Sequence, residues 1–422
     1  MSAKKKNDST ALFFSNSFYS DISSDDMVYS VLLRSPFSHA QKFTFSIPDL
    51  PEGYRIFSAD DVPGNNEVFT HDQKCEVFAR ESVEYVGQVI GILTGPDLKT
   101  LEELRARLEF NFEGSASLNE STETEVLSKS LQSRNFSESI FDEGRYDVRG
   151  TWKSQIGDFN ISESEGAFVA YKDASVNIFS HAPWISHLRE TIENVTGLES
   201  EKITITRTNF NSLNTNTLWQ NSILCAQVCV AALSLKKSVK LCLSRREQTL
   251  YVENQFPITI MHRTVLDENG KFIALDADIK IYSGAFNPLA EEILERLIIA
   301  CTGVYEVSNF RINAHAFKTN EPPASVSWVK VDSCAFYAIE NQIQKICGTY
   351  GFNPCEIREM NLRQPKKSKL PFNLYSGNVK DVIAGVAAKS DFNRKYTVYR
   401  LDEKDRYEYN NDSPFAPPLR GI

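Results

Sequence analysis

The chain has 422 residues, of which 41% are hydrophobic, 11% aromatic and 24% charged, a composition typical of a folded protein with two or three domains. Its formal net charge of −9 argues against nucleic-acid binding, which requires a strongly basic surface. No stretch approaches the roughly 18 apolar residues of a membrane span. The apolar run Ala11–Phe14 is too short for a signal peptide, so we expect a cytoplasmic protein.

Eight cysteines are spread along the chain without a CxxC pair. An iron–sulfur cluster requires a recognisable set of four thiolates, so the sequence predicts no cluster in this chain. Cys225 and Cys229 lie one helical turn apart, and we interpret them as small buried residues rather than metal ligands. His181 and His187 have no thiolate or carboxylate at ligand spacing beside them, so no metal site is predicted.

The N-terminal part of the chain combines predicted strands with a helix. After an extension covering residues 1–26, strands are predicted in "MVYSVLLRS", "CEVFA" and "YVGQVIGILTG". In "PDLKTLEELRARLEF" leucines recur at three- and four-residue steps, which predicts an amphipathic helix that closes a domain at residues 27–114. Residues 115–144 are rich in serine, glutamate and asparagine, so they are predicted to be a linker.

From residue 145 the pattern alternates between strands and helices. "ASVNIFS" and "KITIT" are typical of strands on either side of a helix near "ISHLRETIENVTGL", and Asn269-Gly270 predicts a hairpin. This mixture indicates packed α and β layers. We assign residues 145–385 to this second domain. The charged residues 386–422 are expected to form a tail that leads towards a missing second half.

Residues 207–220, "RTNFNSLNTNTLWQ", connect a predicted strand to a long apolar helix. Such a junction favours anion binding, because free N–H groups and the helix dipole point at the ligand. A loop of this kind usually requires glycine, and none occurs between Ile203 and Leu235. An anion-binding loop and a solvent-facing connection that caps the next helix therefore both stay open, and we favour the second.

Two glutamates alternate along a predicted strand just before this region. If Glu163 and Glu165 share a face, they would form an acid–base pair. We favour the simpler interpretation that both are solvated carboxylates.

Several stretches, in the right order, resemble the molybdopterin-containing large subunit of the xanthine dehydrogenase and aldehyde oxidase family. "LLRSPFSHA", "SADDVPGNN" and "VEYVGQVIGIL" resemble its a/b hammerhead domain. "GDFNISESEG", "RREQTL", "TNEPPA" and "NPCEIREMNL" resemble its first cofactor-binding domain. The resemblance implies an α+β fold in which a hammerhead domain is followed by a mixed α/β molybdopterin-binding-like domain.

The resemblance also implies where a cofactor would bind. The family's glycine-rich GGGFGGK loop falls on residues 211–217, where every glycine is lost, and the arginine of its GxFRGFG loop falls on Trp328. A family glutamine falls near His181, and a family glutamate is kept at Glu163. The pocket implied in this way is degenerate, and its residues by position are Asn211, Ser212, Asn214, Thr215, His181, Glu163 and Trp328.

The family transfers an oxygen atom from water to an electron-poor carbon and passes the electrons on through iron–sulfur clusters to a flavin or another acceptor. The resemblance therefore implies the N-terminal half of a molybdenum hydroxylase, inactive alone. The family's base glutamate would lie beyond the chain end, so no catalytic residue is assigned. The implied partners are a second-half molybdopterin-binding chain and iron–sulfur and flavin subunits.

Two alternatives stay open. The first is a non-catalytic relative that acts as a scaffold or assembly partner, with its pocket filled by Leu213, Trp328 and Phe159. The second is a truncated product whose exposed core face would promote aggregation.

Overall fold

A computed structural model of the chain describes residues 19–112, 116–117, 122–154, 164–208, 218–252, 256–324, 328–364 and 378–408. None of the helices in these ranges is both long enough and apolar enough to cross a membrane. The mixture of sheets and helices confirms the predicted α+β fold class.

The described residues form nineteen strands and ten helices. The strands are β1 (Val28–Arg34), β2 (His39–Gln41), β3 (Phe43–Ser46), β4 (Arg55–Phe57), β5 (Glu67–Thr70), β6 (Gln73–Glu76), β7 (Ser82–Val83), β8 (Val89–Gly95), β9 (Glu109–Phe112), β10 (Ala116–Ser117), β11 (Glu123–Gln132), β12 (Tyr146–Ser154), β13 (Gly166–Lys172), β14 (Ser175–Ser180), β15 (Ile203–Arg207), β16 (Val239–Cys242), β17 (Ile258–Leu266), β18 (Phe272–Tyr282) and β19 (Asn309–Thr319). The helices are α1 (Leu98–Arg105), α2 (Ile140–Glu143), α3 (Ile185–Thr196), α4 (Gln220–Leu235), α5 (Arg245–Tyr251), α6 (Ala290–Ala300), α7 (Trp328–Tyr350), α8 (Pro354–Asn361), α9 (Val379–Ser390) and α10 (Phe392–Glu408).

The larger sheet has seven strands in the order β15-β14-β13-β16-β1-β8-β4. Strand β1 comes from the N-terminal segment, yet it pairs in parallel with β16, with Val28 opposite Val239. On its other side β1 pairs antiparallel with β8. The predicted first domain and the predicted second domain therefore share one sheet.

Helix α4 packs against β13 and α3 at the centre of this sheet's core. Its sequence is apolar all round the helix, which is typical of a helix buried on every side. Cys225 and Cys229 are both fully buried there, which confirms their interpretation as small core residues. Burial raises the pKa of the Cys225 thiol to about 12.

The second large sheet has five strands in the order β11-β19-β18-β17-β12, with α6 and α7 in contact with it. Strand β11 pairs antiparallel with β19 from Glu123 opposite Thr319 to Gln132 opposite Arg311. The structure thus differs from the predicted linker at residues 115–144. An edge strand with one solvated face is rich in polar residues. The linker was predicted from this polar composition, which an edge strand and a linker share.

The C-terminal residues also differ from the predicted tail. Helices α9 and α10 contact each other, and α9 contacts α8. Helix α9 buries none of its residues, and its Val382 and Val386 are each 61% exposed.

His262 lies in the core of the five-stranded sheet and is only 2% exposed. Its Nε2 lies 3.7 Å from Sγ of Cys301, and its Nδ1 has no hydrogen-bond partner among the described residues. Burial lowers the pKa of this imidazole from 6.5 to about 4. The folded protein therefore holds His262 neutral through a range in which an exposed histidine binds a proton.

We expect His262 to make stability depend on pH. Between pH 6.5 and 4 the unfolded chain binds the proton and the folded chain does not, so the free energy of unfolding falls as pH falls through this window. The loss would approach about 3 kcal/mol, at roughly 1.4 kcal/mol per pKa unit. Urea unfolding of the wild type and His262→Leu across this range is the measurement, and an unchanged pH slope in the variant contradicts the expectation.

Candidate functional site

One edge of the seven-stranded sheet carries the carboxyl ends of five strands and the amino ends of two. Strands β14 and β15 are parallel, β13 runs antiparallel to both β14 and β16, and β1 is parallel to β16. Strand β8 runs antiparallel to both β1 and β4. The carboxyl ends of β14, β15, β16, β1 and β4 therefore meet the amino ends of β13 and β8. Ligands of α/β sheets commonly bind outside the carboxyl ends of strands, so this edge is the first place to look for a site.

A fully buried polar network lies at this edge. His181 Nε2 is 3.0 Å from Oε1 of Glu165, and both side chains are 0% exposed. Asn221 Nδ2 donates to the other carboxylate oxygen of Glu165 at 3.2 Å, and the Ser180 hydroxyl donates to Asn221 Oδ1 at 2.9 Å. The network joins the start of β13, the end of β14 and the first turn of α4. We call these four residues the edge network.

The backbone of Glu165 is fixed by the segment that follows β16. Its N–H donates to Oε1 of Gln248 at 3.2 Å, and its carbonyl accepts from the N–H of Leu243 at 2.9 Å. Gln248 belongs to α5, which begins with a capping box between Ser244 and Glu247. The cap fixes where α5 begins, and α5 in turn fixes Glu165.

Glu247 also connects α5 to the N-terminal segment. Its Oε1 accepts from Arg105 Nη1 at 2.8 Å and lies 3.9 Å from Nε of Arg34. Arg34 donates to the carbonyl of Gly87 at 2.9 Å, and its guanidinium lies over the Tyr251 ring at 4.6 Å from the centroid. The first segment is thus tied to the same edge by charge-assisted hydrogen bonds.

A second buried histidine holds the first turn of α4. His187 Nδ1 lies 2.8 Å from the hydroxyl of Ser222, and Nε2 lies 2.8 Å from that of Thr70. The Trp184 ring stacks on the imidazole at 4.7 Å between centroids. Burial lowers the pKa of His187, which favours a neutral ring that bridges α3, α4 and β5.

The structure places one of the sequence-predicted site residues in the edge network, and that residue is His181. Trp328 is the first residue of α7. The remaining predicted positions lie outside the described residues: Asn211, Ser212, Asn214, Thr215 and Glu163. Their role in cofactor binding stays a prediction.

Sequence reasoning missed three members of the edge network. Ser180 and Asn221 belong to no catalytic motif and are 41 positions apart, so only the fold brings them together. Glu165 was interpreted as a solvated carboxylate, and that interpretation is wrong because the side chain is 0% exposed. The signal that could have found it is the continuous apolar run Gly166–Val169 that directly follows it, which is typical of a strand buried on both faces.

The described residues suit a ligand held by hydrogen bonds. They contain no group of three or more His, Cys, Asp or Glu side chains placed to hold a metal ion. Thr208 follows β15, and its hydroxyl is buried with no partner among the described residues. Its N–H donates to the carbonyl of Ser180 at 3.0 Å, next to the edge network. The Thr208 hydroxyl is therefore a hydrogen-bonding group available beside the edge network.

Comparison with known proteins agrees with the family resemblance. Residues 120–362 match the model of the molybdopterin cofactor-binding domain. The chain is 24% identical over 314 residues to a xanthine dehydrogenase of Blastobotrys adeninivorans, covering 70% of this chain and 22% of the relative. It is 22% identical over 377 residues to one subunit of a probable xanthine dehydrogenase of Bacillus subtilis, covering 82% and 49%.

Solved structures share the fold over nearly the whole chain. Quinoline 2-oxidoreductase of Pseudomonas putida 86 matches with a TM-score of 0.80 at 18% identity, over 95% of this chain and 55% of that one. CO dehydrogenase of Oligotropha carboxidovorans matches with a TM-score of 0.81 at 15% identity, over 96% and 56%. This chain therefore spans about a quarter to a half of the length of the curated relatives described above.

The family model covers more than half of the chain, and the relatives confirm the resemblance to xanthine dehydrogenases and aldehyde oxidases. The chain belongs to the molybdopterin cofactor-binding domain family.

Proposed function

We propose that this chain is the part of a molybdopterin-dependent oxidoreductase that carries the hammerhead-like segment and the first cofactor-binding domain. The observation that carries the proposal is the family match across residues 120–362, which includes the edge network. When bound, a molybdopterin cofactor supplies a redox-active molybdenum centre. A cytoplasmic location stays a prediction from the sequence.

The chain's own residues would bind and orient this cofactor. His181, which contacts Glu165, lies near the position that the family resemblance gives to a glutamine, and the buried Thr208 hydroxyl lies beside it. The predicted positions 211–217 would complete the cradle. The loss of glycine there predicts a cradle that approaches the ligand less closely than the family's own loop does.

The proposed partners complete the site. Because the chain spans about half of the Bacillus subtilis relative, whose name marks it as one subunit of an assembly, we propose a second-half molybdopterin-binding region on another chain or on a continuation of this one. The base glutamate would come from that region. Iron–sulfur and flavin subunits would carry the electrons away.

Purification from the source cells through a tag on this chain tests the proposed assembly. We expect a stable complex whose other chains, identified by mass spectrometry, include one whose sequence covers the second half of the xanthine dehydrogenase relatives. A tagged chain that elutes alone after gentle crosslinking, and that is encoded without a continuation, contradicts the proposal. A Glu165→Ala variant purified by the same procedure is the control. It shows whether complex formation depends on an intact edge network.

A further inference from the structure

Helix α9 carries an apolar stripe that its own chain covers only in part. Val379, Val382, Ile383, Val386 and Ala387 recur at steps of three and four residues, the pattern of a helix face directed at a core. Val379, Ile383 and Ala387 are half-buried, whereas Val382 and Val386 are each 61% exposed. Part of the stripe therefore has no cover among the described residues.

The composition of α9 does not by itself account for its helical state. Its alanines favour a helix, but Val379, Val382, Ile383, Val386 and Gly385 are all weaker helix formers than alanine, and they occur within only 12 residues. A helix of this length is marginal in water and depends on tertiary packing of its apolar face. Because α9 buries none of its residues, further packing has to come from outside the described part of the chain.

The neighbouring helices hold α9 in a fixed place. Helix α9 contacts both α8 and α10. Helix α10 is anchored to the turn between α7 and α8, because Arg400 Nη1 donates to the carbonyl of Gly351 at 3.0 Å and the Tyr396 hydroxyl donates to that of Phe352 at 3.3 Å. The stripe thus belongs to a packed layer of helices rather than to a loose end.

Exposed apolar side chains are concentrated in this layer. Of the fourteen large hydrophobic side chains exposed among the described residues, three belong to α7, one to α8, two to α9 and two to α10. Single exposed apolar residues are normal on a protein surface. A concentration of them in four consecutive helices indicates an interaction surface.

The extent of the family match indicates what covers the stripe. The match to the molybdopterin cofactor-binding domain ends at residue 362, before α9 begins at Val379. The fold shared with quinoline 2-oxidoreductase covers 95% of this chain, so it leaves out about 21 of 422 residues and must reach into the 12 and 17 residues of α9 and α10. It covers only 55% of the other chain. These helices are therefore shared with a protein in which a large further part lies beyond the match.

We propose that Val382 and Val386 dock on the second-half molybdopterin-binding region, an inference that rests on the function proposed above. That region is the part of the relatives that the match does not cover, so it is the body that the shared helices meet. Docking buries both valines and completes the packing of the α9 stripe. Each valine buried in this way adds about a factor of ten to the affinity.

Thiol labelling measures whether the stripe is covered. Val382→Cys and Val126→Cys each replace an exposed valine, the first on α9 and the second, 54% exposed, on β11. Each variant is labelled with N-ethylmaleimide as the isolated 422-residue chain and within the assembly purified from the source cells. Mass spectrometry of tryptic peptides gives the rates, since neither peptide that holds these positions contains a native cysteine.

We expect the thiol of Val382→Cys to react at least about tenfold more slowly in the assembly than in the isolated chain, because access to the thiol controls its reaction. The thiol of Val126→Cys should react at the same rate in both. Equal rates for Val382→Cys in the isolated chain and in an assembly that contains the second half overturn the inference and leave the proposed function standing. Equal slowing of both variants also overturns it, because the protection would not be specific to α9.

Two further outcomes count against the inference. An assembly without the second half overturns the proposed function and this inference with it. A thiol of Val382→Cys that already reacts slowly in the isolated chain overturns the inference alone. Light scattering then identifies the cover, since a mass of two chains indicates a second copy and a mass of one chain indicates another segment of this chain. Melting temperatures establish that both variants are folded.

Discussion

Glu165→Ala is expected to lower the free energy of unfolding by about 3–5 kcal/mol, because two buried hydrogen-bonding groups lose their contact with the carboxylate, at roughly 1–3 kcal/mol for each group. His181 Nε2 and Asn221 Nδ2 would both lose their acceptor in a place where water does not replace it. The side chains of both Glu165 and His181 are 0% exposed. Urea denaturation at neutral pH measures the loss.

Two controls separate the edge network from general effects of substitution. Glu165→Gln keeps an oxygen for Asn221 and should lose less stability than Glu165→Ala. Glu201→Ala removes an exposed carboxylate next to β15 and should be within about 0.5 kcal/mol of wild type. An alanine variant of Glu165 as stable as the glutamine variant would show that the carboxylate is not held as the distances indicate.

Gly284→Ala is expected to cost at least about 3 kcal/mol, from backbone strain and steric overlap together. Gly284 has φ +75°, and an added Cβ would lie 2.3 Å from the carbonyl oxygen of Pro322 and 2.9 Å from Cα of Pro323. These are backbone atoms, so no flexible side chain can move aside. The Pro-Pro segment leads into the predicted counterpart of the family's arginine loop, and the variant should displace it.

Gly197→Ala is the matched control for Gly284→Ala. Gly197 also has a positive φ, +69°, but nothing lies within 4 Å of an added Cβ. It should cost only the strain of a left-handed residue, about 1 kcal/mol. Chemical denaturation of both variants gives the difference, and equal costs would contradict close packing of the Pro-Pro segment against Gly284.

Much of the fold could be predicted because local patterns and the family resemblance agree with it. The helix α1 follows from its leucine spacing, and β14 and β15 follow from alternating apolar residues. Strand β11 could not be identified in this way. Its polar face and its pairing with β19, nearly two hundred residues away, are set by tertiary contacts rather than by local composition.

The candidate site was only partly predictable. His181 was found through the family resemblance, whereas Glu165 looked like a surface carboxylate because alternating glutamates also occur on solvated strands. Its burial depends on Asn221 and Gln248, which come from two helices far along the chain.

The most direct test of the central claim is the molybdenum content of the protein purified from its source cells with the chains that accompany it. Elemental analysis by mass spectrometry, together with fluorescence of the oxidised pterin, measures metal and organic cofactor separately. The proposed function predicts stoichiometric molybdenum and pterin in the complex. A complex that contains the second half yet lacks both would contradict it and would favour a scaffold role for this chain.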